Sequence, residues 1–314
     1  MKVVVSGSSG LIGTALVRAL RRDGHHVVRL VRRPPGDPDE ARWDPRGMVG
    51  HAALEGAGAV VHLAGAGVGD RPWTAARKRL IRESRVQGTR TLAEAVARAG
   101  PGVFVSGSAI GYYGGTGGRE TDESGPPGEG FLAGLVRDWE AAAAPAAEAG
   151  VRVVHPRTGV VLTARGGYLG RTLPLFRLGL GGPLGNGRQW LSWITLHDTV
   201  AALRHLIGAS GPADPSGTGG TDGTGGVPDM AGPVNLVAPN PVTNAAYTKA
   251  LGRALHRPAV VPVPAVALRA ALRGFADEGV LISQRIVPRR LEESGFAFAH
   301  PELGGALEAA LKDR

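Results

Sequence analysis

Near its start the chain reads Val3-Val4-Val5-Ser6-Gly7-Ser8-Ser9-Gly10-Leu11-Ile12-Gly13. A β-branched run breaks into three glycines spaced three apart, then resumes with Leu11, Ala15, Leu16, Ala19 and Leu20 recurring at helical period. A chain with 50 glycines produces such a spacing by chance, so the strand before it and the helix after it are what give it meaning. In that order the pieces form a cradle for a dinucleotide. Gly7 permits the tight turn off the strand, Gly10 lets the backbone approach a pyrophosphate with no Cβ in the way, and Gly13 brings the helix close to the sheet. The phosphates then meet the free N–H groups and positive dipole end of the helix beginning near Leu11.

His26 to Val31 alternates as a second strand and stops at Arg32-Arg33-Pro34-Pro35. A ribose lies at this strand end when the glycine turn is real, and an NAD site keeps an acid there. Arg32 and Arg33 point instead to the 2′-phosphate of NADP, the other reading being that both face solvent. Residues 36–58 read as a short strand and a connection. Ala59 to Gly65 is a buried strand ending in small residues that let the backbone pass near the cofactor. His62 within it is a candidate base, although a single histidine in an apolar strand is more often a core residue.

Trp73 to Ala99 reads as a long helix closed by Gly100-Pro101. Val103 to Ser108 is a strand with a polar end. Ligands of open parallel sheets bind beyond the carboxyl ends of the strands, which puts Ser106, Ser108 and Tyr113 where chemistry would occur. Serine and tyrosine are also ordinary loop residues, so position alone supports them weakly. A helix from about Phe131 to Ala149 and a strand from Val151 to Arg157 complete the alternation. The expected class is α/β: a doubly wound parallel Rossmann sheet over 1–160, with return segments near 193–208 and 233–238. The rest, 161–192 and 239–314, forms a smaller C-terminal substrate or lid domain, with helices around Thr243 to Leu255 and Leu303 to Leu311. Residues 209–232 hold almost nothing apolar and are expected to be a flexible loop.

Composition narrows the function. With 314 residues, 43% of them hydrophobic, a sizeable core is available. The absence of cysteine removes disulfides, thiolate metal sites and a catalytic thiol. No apolar run is long enough to cross a bilayer and the first strand leaves no room for a signal, so a cytoplasmic protein is expected. The formal charge of +9 comes almost entirely from scattered arginine, only Lys2, Lys78, Lys249 and Lys312 being lysine. That pattern predicts solvated faces, with neither nucleic acid nor membrane as partner.

Several marks belong together: Ser6 to Gly13; His62-Leu63-Ala64-Gly65; Ser106-Gly107-Ser108 through Tyr113-Gly114; Pro156-Arg157-Thr158-Gly159-Val160-Val161-Leu162; the glycine loop 179–188; and Arg289-Arg290-Leu291 before Gly295-Phe296. With them the chain resembles extended-type short-chain dehydrogenase/reductases. More narrowly, it resembles their atypical subgroup of nucleoside-diphosphate-sugar epimerase-like proteins with a small C-terminal domain of unknown function. The resemblance implies that Gly7, Ser9, Gly10, Leu11, Ile12, Arg32, Leu63, Ala64, Gly65 and Ser106 line the cofactor site; Gly13, Arg33 and Arg157 are placed with them.

The chain also departs from that family. Members of known chemistry carry a tyrosine four residues before a lysine, the lysine and the cofactor ribose lowering the phenol's pKa for proton exchange. Here the helix begins Phe131-Leu132-Ala133-Gly134-Leu135-Val136, and no lysine lies four after Tyr112, Tyr113, Tyr168 or Tyr247. The expected function is an NADP-dependent oxidoreductase or epimerase-like enzyme acting on a small molecule, with Ser108 and Tyr113 the nearest proton donors. The alternative is an NADP-binding sensor without turnover.

Overall fold

The computed structural model describes residues 1–209 and 230–312. Its strands are β1 (Lys2–Ser6), β2 (His26–Val31), β3 (Glu40–Asp44), β4 (Met48–Val49), β5 (Ala59–His62), β6 (Val103–Ser106), β7 (Ser108–Ala109), β8 (Glu120–Thr121), β9 (Arg152–Thr158), β10 (Val160–Leu162), β11 (Trp190–Leu191), β12 (Trp193–Thr195), β13 (Gly232–Leu236), β14 (Val242–Thr243) and β15 (Arg285–Ile286). The α-helices are α1 (Leu11–Arg22), α2 (His51–Leu54), α3 (Ala75–Ala99), α4 (Phe131–Ala141), α5 (Ala144–Glu148), α6 (Gly167–Arg177), α7 (Leu196–Leu206), α8 (Asn244–Leu255), α9 (Ala265–Leu272), α10 (Arg289–Glu293) and α11 (Leu303–Lys312).

Nine strands form one sheet in the order β13-β9-β6-β5-β1-β2-β3-β4, with β7 also on β9. Every pairing in it is parallel except that of β3 with β4. Val3 and Val5 face one layer with Leu16 and Leu20 of α1 and Leu203 and Leu206 of α7. Val4 faces the other with Leu92 and Val96 of α3 and Ala146 of α5. Burial on both faces is why these strands read as unbroken Val runs and not as alternating ones. Chain order reverses between β1 and β5, so the crevice at their carboxyl ends is the natural ligand position.

A separate core of Leu169, Phe176, Trp193, Tyr247, Leu251 and Leu307 belongs to a smaller lobe built on α6, α8 and α11. The expected helix 131–149 is two helices, α4 and α5: Pro145 in the first turn of α5 has no N–H to continue the ladder. Helices α6 and α9 go beyond the sequence reading; Pro174 lies inside one and the other buries no residue, so neither has a clean apolar stripe. Most of the loop expected at 209–232 lies outside the described residues. Its ends do not: Ala209 and Met230 are buried and Gly232 opens β13. Among the described residues no helix is long and apolar enough to cross a membrane.

Candidate cofactor cleft and the polar network beside it

The three glycines are held by three different constraints. Gly7 has φ of 73°, and a Cβ there would stand 2.6 Å from the Leu63 carbonyl carbon. A Cβ on Gly13 would stand 2.2 Å from the Gly7 carbonyl oxygen, so α1 packs on the turn at a distance only glycine allows. Gly10 is exposed, and a Cβ there would meet nothing within 4 Å but the Gly7 oxygen at 3.2 Å. It caps α1 in an extended conformation with no side chain on the first amides. Those N–H groups, with Ser9 and Gly10 exposed and Leu11 and Ile12 half-buried beside them, form an open anion cradle that fits a pyrophosphate. Leu63, Ala64 and Gly65 leave β5 on the facing side, the Leu63 N–H donating to the Ser6 oxygen at 3.1 Å.

His62 is wholly buried. Its Nδ1 lies 2.5 Å from the Ser6 hydroxyl oxygen, Trp43 packs edge-on to its ring, and burial with the nearby Arg85 cation pushes its pKa down to about 4. It is therefore a neutral core histidine, which decides between the two readings of its sequence position.

The arginine pair at the end of β2 is divided. Arg33 grips Glu40 with two hydrogen bonds of 2.7 Å, and Glu40 also accepts from the Gly36 N–H at 2.9 Å. These bonds hold the Glu40 carboxyl well below its ordinary pKa, at about 2, and raise that of Arg33. The expected fork thus reduces to Arg32, which is exposed and has no hydrogen bond or ion pair among the described residues. Glu40 starts β3, where strand periodicity gave no hint that it would turn back to Arg33.

Helix α3 holds the loop after β5. The Ala66 N–H donates to Ser84 Oγ at 3.1 Å, and Arg85 donates to the Ala66 oxygen at 2.8 Å while lying over the Trp139 ring. Burial lowers the Arg85 pKa to about 10, with help from Arg77. From the smaller lobe Arg171 reaches the Gly69 carbonyl and Asp70, tying that lobe to the same loop.

At the carboxyl ends of β6, β9 and β13 a polar network crosses the interior. Ser108 donates to Glu140 Oε1 at 2.6 Å, and Arg157 meets both oxygens of Glu140 at 2.8 and 2.9 Å. Arg157 also donates to the Tyr113 hydroxyl at 3.0 Å, and that hydroxyl donates to Asn235 Oδ1 at 2.8 Å. The guanidinium lies 3.4 Å from the centre of the Tyr112 ring. Burial pushes the Tyr113 phenol up to about 12 even with Arg157 pulling the other way. The structure brings Ser108, Tyr113 and Arg157 together, but as an interior network: Tyr113 is not a loosely held phenol, and Arg157 spends its donors on protein instead of standing free for a cofactor. Ser106 is buried beneath, its hydroxyl without a hydrogen-bond partner among the described residues. Glu140 and Asn235 escape sequence reasoning, since a lone acid on a helix looks like a solvated charge and Asn235 lies 122 residues from the phenol it meets.

Comparison with known proteins agrees with this architecture. Residues 3–215 match the NAD dependent epimerase/dehydratase family, and residues 263–310 match a domain of unknown function, DUF1731. The chain is similar to Epimerase family protein Mb2239 of Mycobacterium bovis, with 47% identity across 97% of this chain and 96% of that one. It is also similar to the human Epimerase family protein SDR39U1, 36% identical across 98% and 99%. The crystal structure of human SDR39U1 (isoform 2) with NADPH superposes with a TM-score of 0.86 at 34% identity, covering 100% of both chains. The glycine cradle at the switch point of a doubly wound sheet, the appended lobe and this similarity along the whole length leave one assignment: the chain belongs to the NAD dependent epimerase/dehydratase family.

Proposed function

We propose that this protein binds NADP and is a short-chain dehydrogenase/reductase-type oxidoreductase or epimerase that works without the Tyr-Lys pair, the smaller lobe closing over a small-molecule substrate. The cradle supports the dinucleotide, and the human relative crystallised with NADPH supports its phosphorylated form. Arg32 is the residue that would meet the 2′-phosphate. Charge-assisted bonds contribute about 1.5–3 kcal/mol each, so NADP should be preferred over NAD by roughly ten- to a hundredfold. Arg32→Asp is expected to erase or reverse that preference, while Arg33→Ala, whose partner is Glu40, should alter it far less. Titration of both nucleotides at one ionic strength checks this, and equal affinities in the unmodified protein would show the strand end to be misread.

The observation that carries a catalytic reading is the Ser108–Glu140 hydrogen bond of 2.6 Å just past the carboxyl end of β6, one strand out from the switch point. NADP, when bound, accepts or supplies hydride. With its own proton directed at a carboxylate, the Ser108 oxygen is free to accept from a substrate hydroxyl. As hydride leaves the carbinol carbon, the hydroxyl proton passes to Ser108 while the serine proton passes to Glu140; reduction runs the same steps backwards. Tyr113 and Arg157 position Glu140 in this scheme. Ser108→Ala should lower turnover by about a hundredfold or more with NADP affinity little changed, since general acid–base groups contribute roughly 10²–10⁴-fold. Undiminished turnover in that variant would remove the relay. The pinned Tyr113 favours the second reading, an NADP sensor, and hydride transfer to any member of a carbonyl and sugar-nucleotide panel counts against it.

A further inference from the structure

The outer face of the smaller lobe differs from the rest of the surface in two independent ways. Six of the nine exposed large apolar side chains among the described residues lie here: Leu175, Leu178, Leu180, Val260, Val261 and Val266. Leu178, Val260 and Val266 are 73%, 75% and 72% exposed. They stand on segments that run side by side. The Arg257 Nε donates to the Arg177 oxygen at 3.1 Å, the Val261 N–H to the Gly181 oxygen at 3.0 Å, and the Val263 N–H to the Pro183 oxygen at 2.9 Å. Helix α9, reading Ala-Val-Ala-Leu-Arg-Ala-Ala-Leu, follows at once and buries none of its residues. Solitary exposed leucines and valines need no explanation; a contiguous group of them does.

The second feature is charge. The stretches 149–197 and 230–276, which supply this face, contain no aspartate or glutamate. Beside the apolar group, at the end of α8, an open hollow of about 720 Å³ is walled by Lys249, Arg253, His256 and Arg257, with Val260 on its rim. His256 closes the helix in the left-handed region at φ 53°, an uncommon choice for a side chain other than glycine. Arg269 is paired with Asp277 at 2.9 Å, but Lys249, Arg177, Arg253, Arg257 and Arg273 have no acidic partner among the described residues.

From these observations we infer that the outer face of the smaller lobe docks on an anionic phospholipid bilayer. Headgroup phosphates enter the hollow between Lys249, Arg253 and Arg257, while Leu178, Leu180, Val260 and Val266 enter the acyl boundary. Charge complementarity selects this occupant. A second copy of the chain would set one cationic face against another, with the bordering Asp277 already paired to Arg269. Nucleic acid would use the cations but gain nothing from aliphatic tips, and the lining of the hollow offers a single ring, His256, for base stacking. A bilayer surface with anionic lipid uses both features at once. The inference is independent of the proposed reaction, and it reverses the expectation from composition that the arginines are merely solvated.

Vesicle flotation of the full-length protein tests it, comparing phosphatidylcholine alone with phosphatidylcholine carrying about a third phosphatidylglycerol. Binding is expected only to the anionic vesicles and should weaken as salt rises. Arg253→Glu with Arg257→Glu should reduce it at least tenfold. Leu178→Ser with Val260→Ser, which leaves every charge in place, should reduce it severalfold; being solvent-facing, this pair keeps the test decisive if charge reversal disturbs α8. Absence of binding to anionic vesicles overturns the proposal. So does binding that ignores the serine pair, which together with equal affinity for a DNA duplex would identify a polyanion surface. A concentration-dependent dimer that the serine pair dissociates would identify a second copy as the occupant and likewise overturn it.

Discussion

Glu140→Ala is expected to destabilise the fold by about 3–5 kcal/mol, because it strands a buried guanidinium without its counter-charge. The Arg157 side chain is 4% exposed and that of Glu140 13% exposed, so water cannot readily take the place of the carboxylate. The same change leaves the Ser108 hydroxyl without its acceptor and Arg157 with only Tyr113 and the Tyr112 ring for company. Removing both charges together, in Glu140→Leu with Arg157→Met, should recover most of the loss, since the desolvation cost disappears with the pair. Urea unfolding of the two variants beside the unmodified protein measures the difference. A single-variant loss below about 1 kcal/mol would mean that water reaches Arg157 and that the network is not dry.

Gly10→Val should abolish dinucleotide binding, with at least a hundredfold loss of affinity in a protein that still folds. Its extended φ admits a branched side chain, and its one close contact, the Gly7 oxygen at 3.2 Å from the added Cβ, asks the turn to shift by only a few tenths of an ångström. The isopropyl group instead occupies the space in front of the first amides of α1, where a pyrophosphate would lie. Gly13→Ala is the contrasting case. One added methyl would lie 2.2 Å from a backbone oxygen, forcing α1 off the turn and lowering stability and affinity together. Calorimetric titration with NADP and a thermal melt separate the two outcomes. Wild-type affinity in the valine variant would remove the cradle from its assigned role.

Features whose cause lies within a few residues were legible in the sequence. Gly7, Gly10 and Gly13 announced the turn because the positive φ of Gly7 and the close contacts of Gly10 and Gly13 act within one strand–turn–helix unit, whereas the approach of Leu63 to Gly7 did not show in the sequence. The Val runs announced buried parallel strands because burial on both faces removes polar alternation. The division of the arginine pair was not legible: which of Arg32 and Arg33 is free depends on Glu40 in the next strand, whose side chain turns back to meet one of them. The network around Tyr113 was less legible still. Its members Ser108, Tyr113, Glu140, Arg157 and Asn235 come from separate elements, and no local period links an acid on α4 to an arginine on β9 or to an amide on β13. Sequence placed Ser108 and Tyr113 at a strand end; only the packing of α4 shows that one meets a carboxylate and the other is sealed behind it.

The late return of β13 to the sheet has a consequence for how the protein is made. Strand β9 is paired on one side with β6 and on the other with β13, Arg157 standing in register with Asn235. Ribosomes add roughly 5–20 residues per second, so on the order of several seconds separate the emergence of Thr158 from that of Gly232. Through that interval the outer edge of β9 from Val154 to Thr158 has no backbone partner, and the Tyr113 hydroxyl lacks the amide oxygen that accepts its hydrogen bond. A bare parallel edge is a template for another nascent chain. The last strand to join this sheet is thus the one that ends vulnerability on the ribosome, and a chain truncated before residue 232 should be a client for chaperones or proteases where the full-length chain is not.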